Sequence, residues 1–202
     1  MVARLMQAWI TWLLLLVAMA APAAASRASY ASKISNLVDP AKLVTLGERG
    51  ANPRVQKYVA LLVEGEAAGQ KTDKIAAKAL KMAGVEGEAA KLTAKQMVRN
   101  LKIAERCGCT DEDGLGRMRK GEAAKVKRGR YKGDDLSVDH IIPRQVVPEL
   151  DNVIANLELM PLRANKRKNS SMGKRQVELA RQLHNAGLLS AQGLRAIEGK
   201  QN

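Results

Sequence analysis

The chain has 202 residues, in which 34 Lys and Arg outweigh 20 Asp and Glu, giving a formal net charge of +14 and a pI near 10.0. That balance favours a polyanionic partner, because cations that meet phosphates are drawn in over a distance and release condensed counterions. With no Phe and 2% aromatic residues, the core must be built from Ala, Leu, Val, Ile and Met, and base stacking on aromatic platforms is disfavoured as a binding mode.

Arg4 supplies a short positive start, Ala8 to Ala20 is a Leu-rich apolar run, and Ala23-Ala24-Ala25 offers a small-x-small cleavage site before Ser26. Residues 1–25 therefore read as a signal peptide of a secreted or periplasmic protein, with no permanent membrane insertion after cleavage. The competing reading is an uncleaved anchor, since Leu5 to Ala25 nearly spans a bilayer. Pro22 and the alanine run favour cleavage. Losing the leader removes one Arg and no acid, so the charge argument stands.

Residues 26–110 read as a helical region. Asp39-Pro40 and Asn52-Pro53 each place a capping side chain before a proline at the first helical position. Val55, Tyr58, Val59 and Leu62 then recur at helical spacing. Thr72 is expected to cap a helix carrying Ile75, Leu80 and Met82 that ends at Gly84. Thr93-Ala94-Lys95-Gln96 reads as a capping box with Leu92 stapled on Met97, opening a helix that runs to about Arg106. The hexapeptide Val63 to Ala68 recurs as Val85 to Ala90, but two copies do not make a solenoid.

Cys107-Gly108-Cys109 leaves several readings open in an oxidising compartment. A bridge between them closes a very small ring, a bridge to a second copy is the other disulfide, and free thiols weigh equally. Two sulfurs without a nearby His form an incomplete zinc set.

Residues 111–135 form a basic, Gly-rich connector. Asp111-Glu112-Asp113 precedes a run containing Arg117, Arg119, Lys120, Lys125, Lys127, Arg128, Arg130 and Lys132. An EF-hand is disfavoured, since Leu115 stands where an oxygen ligand is needed. The functional reading is a phosphate-gripping ribbon that leads into the site, and the bland one is a solvated surface.

The chemistry lies in residues 136–202. Leu136, Val138 and Ile141 fit a strand that Pro143 ends, Ile154 to Pro161 fits a second strand, and a helix should open close to Asn165. A strand pair followed by a helix can gather side chains around one ion. His140 can supply the general base, since imidazole is the side chain suited to proton transfer near neutral pH, while Asp139 and Asn165 offer hard oxygen donors suited to Mg²⁺, with Mn²⁺ as a second choice. Arg163, Lys166, Arg167 and Lys168 are expected to clamp phosphates, aided by the helix dipole if the helix starts there. Arg128, Arg130 and Lys132 extend that basic surface. His184, near Ala180 and Leu183, has no catalytic role in this reading.

Asp139-His140-Ile141-Ile142-Pro143, then Asn156-Leu157 and Asn165-Lys166-Arg167-Lys168, resembles the HNH nucleases with a ββα-metal finger, over roughly Leu136 to Arg175. The resemblance implies that Asp139 and Asn165 bind one metal ion, that His140 is the general base, and that Asn156 ties the strands together and helps orient it. Asn165 stands where many relatives have His. A Cys-x-x-Cys-His zinc knuckle is also missing, as Pro161, Ala164 and Asn165 occupy its places, so no structural zinc is expected.

The expected fold is therefore α+β, mostly α, with N-terminal helices, a ββα-metal finger and C-terminal helices. The expected function is a secreted, divalent-metal-dependent HNH endonuclease hydrolysing DNA, with RNA as a second candidate substrate. The alternative of another class is a catalytically silent, basic DNA-binding protein of the cell envelope. A bacteriocin-like toxin is disfavoured by the leader.

Overall fold

The computed structural model describes residues 28–168 and 172–200, and the apolar leader read over residues 1–25 lies outside them. The architecture is α+β and mostly α: helices α1 (Tyr30–Val38), α2 (Pro40–Leu43), α3 (Asn52–Ala67), α4 (Thr72–Met82), α5 (Gly87–Arg106) and α6 (Glu112–Lys120) precede strands β1 (Leu136–His140) and β2 (Leu157–Pro161), and α7 (Leu162–Arg167), α8 (Lys174–Asn185) and α9 (Ala191–Glu198) follow. Among the described residues, no helix is long and apolar enough to cross a membrane.

Capping side chains set some of the helix starts. Oγ of Ser29 accepts from the Ser32 N–H at 3.2 Å to cap α1, and Oδ1 of Asp39 accepts from the Ala41 N–H at 3.0 Å to cap α2. At α3 the expected cap fails: Asn52 lies inside the helix, Ala51 holds the cap position, and Asn52 Oδ1 is buried without a partner. Thr72 likewise falls inside α4, after Lys71, and makes no cap. Met82 is 51% exposed and drops off the apolar stripe that Ile75 and Leu80 bury.

Helix α5 starts at Gly87, well before the expected box at Thr93. Thr93 is an interior residue whose Oγ1 donates to the Ala89 carbonyl at 2.7 Å, an i−4 bond that lets Thr sit within a helix. Leu92 and Met97 do not staple, because they pack into different cores. The repeated hexapeptide closes α3 in its first copy and opens α5 in its second, which shows context overriding local sequence.

The larger core joins α1, α3, α4, α5 and α6 to one face of the sheet, through Ile34, Tyr58, Leu62, Leu80, Met97, Met118, Leu136, Leu157 and Leu159. Each such side chain contributes roughly 1.5–3 kcal/mol on full burial. A smaller core holds Ile142, Leu150, Val177, Leu183 and Ile197 between the loop after β1 and helices α8 and α9.

Strands β1 and β2 pair antiparallel, with Asp139 opposite Glu158 and His140 opposite Leu157. Both outer edges are closed by buried side chains from the helices. Gln56 Nε2 donates to the Leu136 carbonyl at 2.8 Å. Asn100 donates to the Leu157 carbonyl at 2.9 Å and accepts from the Leu159 N–H at 2.9 Å, and Gln96 donates to the same Leu157 carbonyl at 3.0 Å. A two-stranded sheet that is marginal alone is thereby fixed to α3 and α5.

The strands are shorter than expected. Ile141 lies beyond β1, and Ile154–Asn156 is a 3₁₀ turn rather than the start of β2. The cause is Asn156, whose Oδ1 accepts from the Ile142 N–H at 2.8 Å and whose Nδ2 donates to the Ile142 carbonyl at 3.0 Å. After one more backbone bond, from the Ile141 N–H to the Asn156 carbonyl at 2.8 Å, a side chain takes the place of the ladder.

Residues 111–135, read as a connector, contain α6 packed on α3 and a short ribbon in which Lys125 bridges Asp135. Cys107 and Cys109 are free thiols. Cys109 is buried, with Sγ 3.3 Å from the Lys125 carbonyl, and burial pushes its thiol up to about 12.

Candidate active site

Strand alternation sends Asp139 and His140 to opposite faces at the end of β1. His140 points inward and is 7% exposed. Its Nε2 lies 3.0 Å from the Asp151 carbonyl oxygen and 2.8 Å from Asp151 Oδ1, the latter not aligned for a hydrogen bond and therefore left without one. Both neighbours are acceptors, so Nε2 is the donor nitrogen, and in the neutral form of the ring the lone pair lies on Nδ1. Asp151 Oδ2 accepts from the Arg49 N–H at 3.0 Å.

Behind the histidine, Asn156 is fully buried. Besides its two bonds to Ile142 it donates to the Leu150 carbonyl at 3.3 Å, so it joins the loop after β1 to the turn before β2. That loop also holds Asp151, and Asn156 thereby fixes both the histidine and its partner.

Asp139 turns to the other side and meets a cation of the chain itself. Lys168 Nζ lies 2.5 Å from Asp139 Oδ2, 2.6 Å from the His140 carbonyl and 3.3 Å from the Ile141 carbonyl. Three oxygens around one ammonium define a place that favours positive charge. Asn165 sits one step away, its Nδ2 donating to Ser137 Oγ at 3.3 Å, with Ser137 on the same strand face as Asp139.

A cleft of about 270 Å³ opens over this group. Asp139, His140, Lys168, Arg49 and Arg144 line it. Of the residues singled out in the sequence, Asp139, His140 and Lys168 meet at the cleft, Asn156 lies behind it, and Asn165 flanks it.

Several expected phosphate clamps have other partners. Helix α7 opens at Leu162, so Asn165, Lys166 and Arg167 lie in its second half, and no anion-favouring helix start falls at Asn165. Lys166 and Arg167 are exposed and instead offset the negative end of the helix dipole. Arg163 is tied to Asp134 through Nε at 2.5 Å and its N–H at 2.9 Å. Lys168 is bound by the three oxygens above and is not a free clamp.

The basic run divides in the same way. Arg119 pairs with Glu64 at 2.6 Å and Glu112 at 3.2 Å, Lys125 with Asp135 at 2.7 Å, Arg117 with Glu122 at 3.7 Å, and Lys127 with Asp111 and Asp113. Arg128, Arg130 and Lys132 are exposed, and the Arg130 guanidinium stacks 4.9 Å from the Tyr131 ring centre. They do not line the cleft.

Opposite Asp139, Glu158 is buried with Arg99 Nε at 2.5 Å and Arg175 Nη2 at 2.7 Å. Burial pushes its carboxyl up, but hydrogen bonds from Arg175 and Arg99 outweigh that, and the group is held below its ordinary range.

Sequence reading missed Asp151, Arg49 and Arg144. Asp151-Asn152 looks like a turn pair, and Arg49 lies some ninety residues upstream in a short Gly-flanked loop, so neither position carries a local catalytic pattern.

No group of three or more His, Cys, Asp or Glu able to hold a metal occurs among the described residues. The donor set nevertheless fits a hard divalent ion, because Mg²⁺ needs only one or two protein carboxylates and keeps several waters. The oxygens that gather around the Lys168 ammonium support that fit, with Lys168 itself as the competitor. No family model matches the chain, and no curated protein or solved structure matches it.

Proposed function

We propose that the protein is a divalent-metal-dependent endonuclease of the HNH type that hydrolyses DNA outside the cytoplasm, reached through the leader of residues 1–25. The observation that carries the reading is the placement of His140: Nε2 faces two oxygens of Asp151, which leaves Nδ1 of the neutral ring as the proton acceptor, and His140 and Asp139 line one cleft. A buried imidazole with one nitrogen fixed by an acidic partner is the arrangement a general base requires.

In the reaction, His140 takes a proton from water as the water oxygen forms a bond to phosphorus. The bond from phosphorus to the leaving oxygen breaks on the opposite side, and that oxygen is protonated from solvent. Asp139, with Asn165 at its side, would hold one Mg²⁺ or Mn²⁺, which when bound supplies Lewis-acid stabilisation of the phosphoryl and leaving oxygens. Asn156 fixes the loop on which both His140 and Asp151 depend. Net positive charge and the exposed Arg128, Arg130, Lys132, Lys166 and Arg167 favour a polyphosphate.

One observation favours the alternative of a catalytically silent DNA-binding protein: the Lys168 ammonium is already seated on Asp139. Nicking of supercoiled plasmid with Mg²⁺, with and without EDTA, separates the two. EDTA-sensitive nicking that falls by about 10²–10⁴-fold in His140→Ala, with DNA affinity nearly unchanged, supports the nuclease. Wild-type DNA binding without nicking under any divalent metal would leave the binding protein.

A further inference from the structure

Among the described residues, Arg49 is the single residue other than glycine with a left-handed backbone, at φ 55°. A side chain there crowds its own carbonyl, and such positions usually go to Gly or Asn. Glycines stand close by at Gly47 and Gly50, yet the strained position is an arginine.

The loop that carries Arg49 is clamped to the far end of the chain. The Arg49 N–H donates to Asp151 Oδ2 at 3.0 Å, and the Ala51 N–H donates to Asn152 Oδ1 at 3.0 Å. Asn152 Nδ2 returns to the Gly47 carbonyl at 3.2 Å and the Leu46 carbonyl at 3.3 Å, and Glu48 pairs with Arg144. These bonds hold an unfavourable backbone conformation, and the result is an arginine on the wall of the cleft that contains Asp139 and His140. Arg144 has a carboxylate partner in Glu48, whereas Arg49 is exposed and pairs with no carboxylate among the described residues. Asp151 joins the two functions, since its backbone oxygen holds His140 while one side-chain oxygen holds the Arg49 backbone.

We propose that Arg49 is a catalytic, phosphate-binding residue supplied by the N-terminal helices, whose guanidinium contacts the non-bridging oxygens of the scissile DNA phosphate and stabilises the added negative charge of the transition state. A planar fork of donors suits those oxygens, and the contact strengthens as charge develops. The assignment rests on the nuclease reading above.

The test compares full-length wild type, Arg49→Ala, Arg49→Lys, Arg49→Gly and His140→Ala by plasmid nicking with Mg²⁺, by affinity for a short DNA duplex, and by melting temperature. Arg49→Ala and Arg49→Gly should lower kcat by about 10²-fold with a smaller change in affinity, and Arg49→Lys should retain part of the rate. Arg49→Gly relieves the backbone, so its melting temperature should equal wild type or exceed it by up to about 4 °C. Loss of rate without loss of stability is what a structural role would not produce. Nicking by Arg49→Ala within about twofold of wild type, with His140→Ala inactive, overturns the assignment and leaves the nuclease standing. A melting temperature lowered in Arg49→Gly along with the rate, with Arg49→Lys no better, also overturns it. A wild type that neither nicks nor binds DNA removes both readings.

Discussion

Lys168 shows how one side chain can set the properties of a site. Its side chain is 23% exposed, and its ammonium occupies the oxygen cage formed by Asp139 and two carbonyls, the place that the proposed ion would take. An ion arriving at the same oxygens is repelled by the ammonium and competes with it for Asp139, so its apparent affinity is reduced by the free energy of that contact. Lys168→Ala should therefore bind Mn²⁺ more tightly than wild type, by about 10-fold for a contact of about 1.4 kcal/mol. Asp139→Asn should bind it more weakly. Titration calorimetry with Mn²⁺ reads both, and equal affinities in Lys168→Ala and wild type would show that the lysine does not compete. At this same scale His140→Ala should lower the nicking rate by about 10²–10⁴-fold, because the ring nitrogen that accepts the proton is lost.

Elements position these residues by tying two cores together. Glu158 in β2 is held by Arg99 of α5 and Arg175 of α8, so one buried carboxylate links the sheet to both helices. Its folded carboxyl titrates below the unfolded one, so the linkage stabilises the protein fully above the unfolded pKa of about 4.3 and is lost as pH falls through the lower folded value. Glu158→Gln should lower the melting temperature clearly at pH 7, and the gap from wild type should narrow below about pH 4. A gap that stays constant on acidification would assign the effect to packing. Much of this arrangement was legible beforehand: periodic Val55, Tyr58, Val59 and Leu62 gave α3, and alternation around Val138 gave β1. The misplaced boundaries have different causes: Thr93 and Asn52 have the chemistry of caps, but Thr93 Oγ1 turns back to the Ala89 carbonyl within α5, whereas Asn152 serves the Ala51 N–H from a hundred residues away. Long-range polar bonds of that kind leave no periodic trace, and Arg49 and Asp151 were missed for the same reason.

Across the whole molecule, the 34 Lys and Arg overstate the number of cations available to DNA, because many of them are already paired with carboxylates within the fold. Arg117, Arg119, Lys125 and Lys127 face carboxylates within the described residues, whereas Arg128, Arg130 and Lys132 are exposed without one. The first group organises α6 and the ribbon, and the second is free to meet phosphates. Counterion release lets these roles be separated, since each phosphate contact adds about 0.9 to the slope of log affinity against log salt. Neutralising Arg128, Arg130 and Lys132 together as Gln should flatten that slope by about 2–3 and leave the melting temperature nearly unchanged. Neutralising Arg119 and Lys127 should change stability modestly, as exposed pairs do, with little effect on the slope. An unchanged slope in the triple variant would make Arg128, Arg130 and Lys132 a solvated face and would confine DNA contact to the cleft and the end of α7.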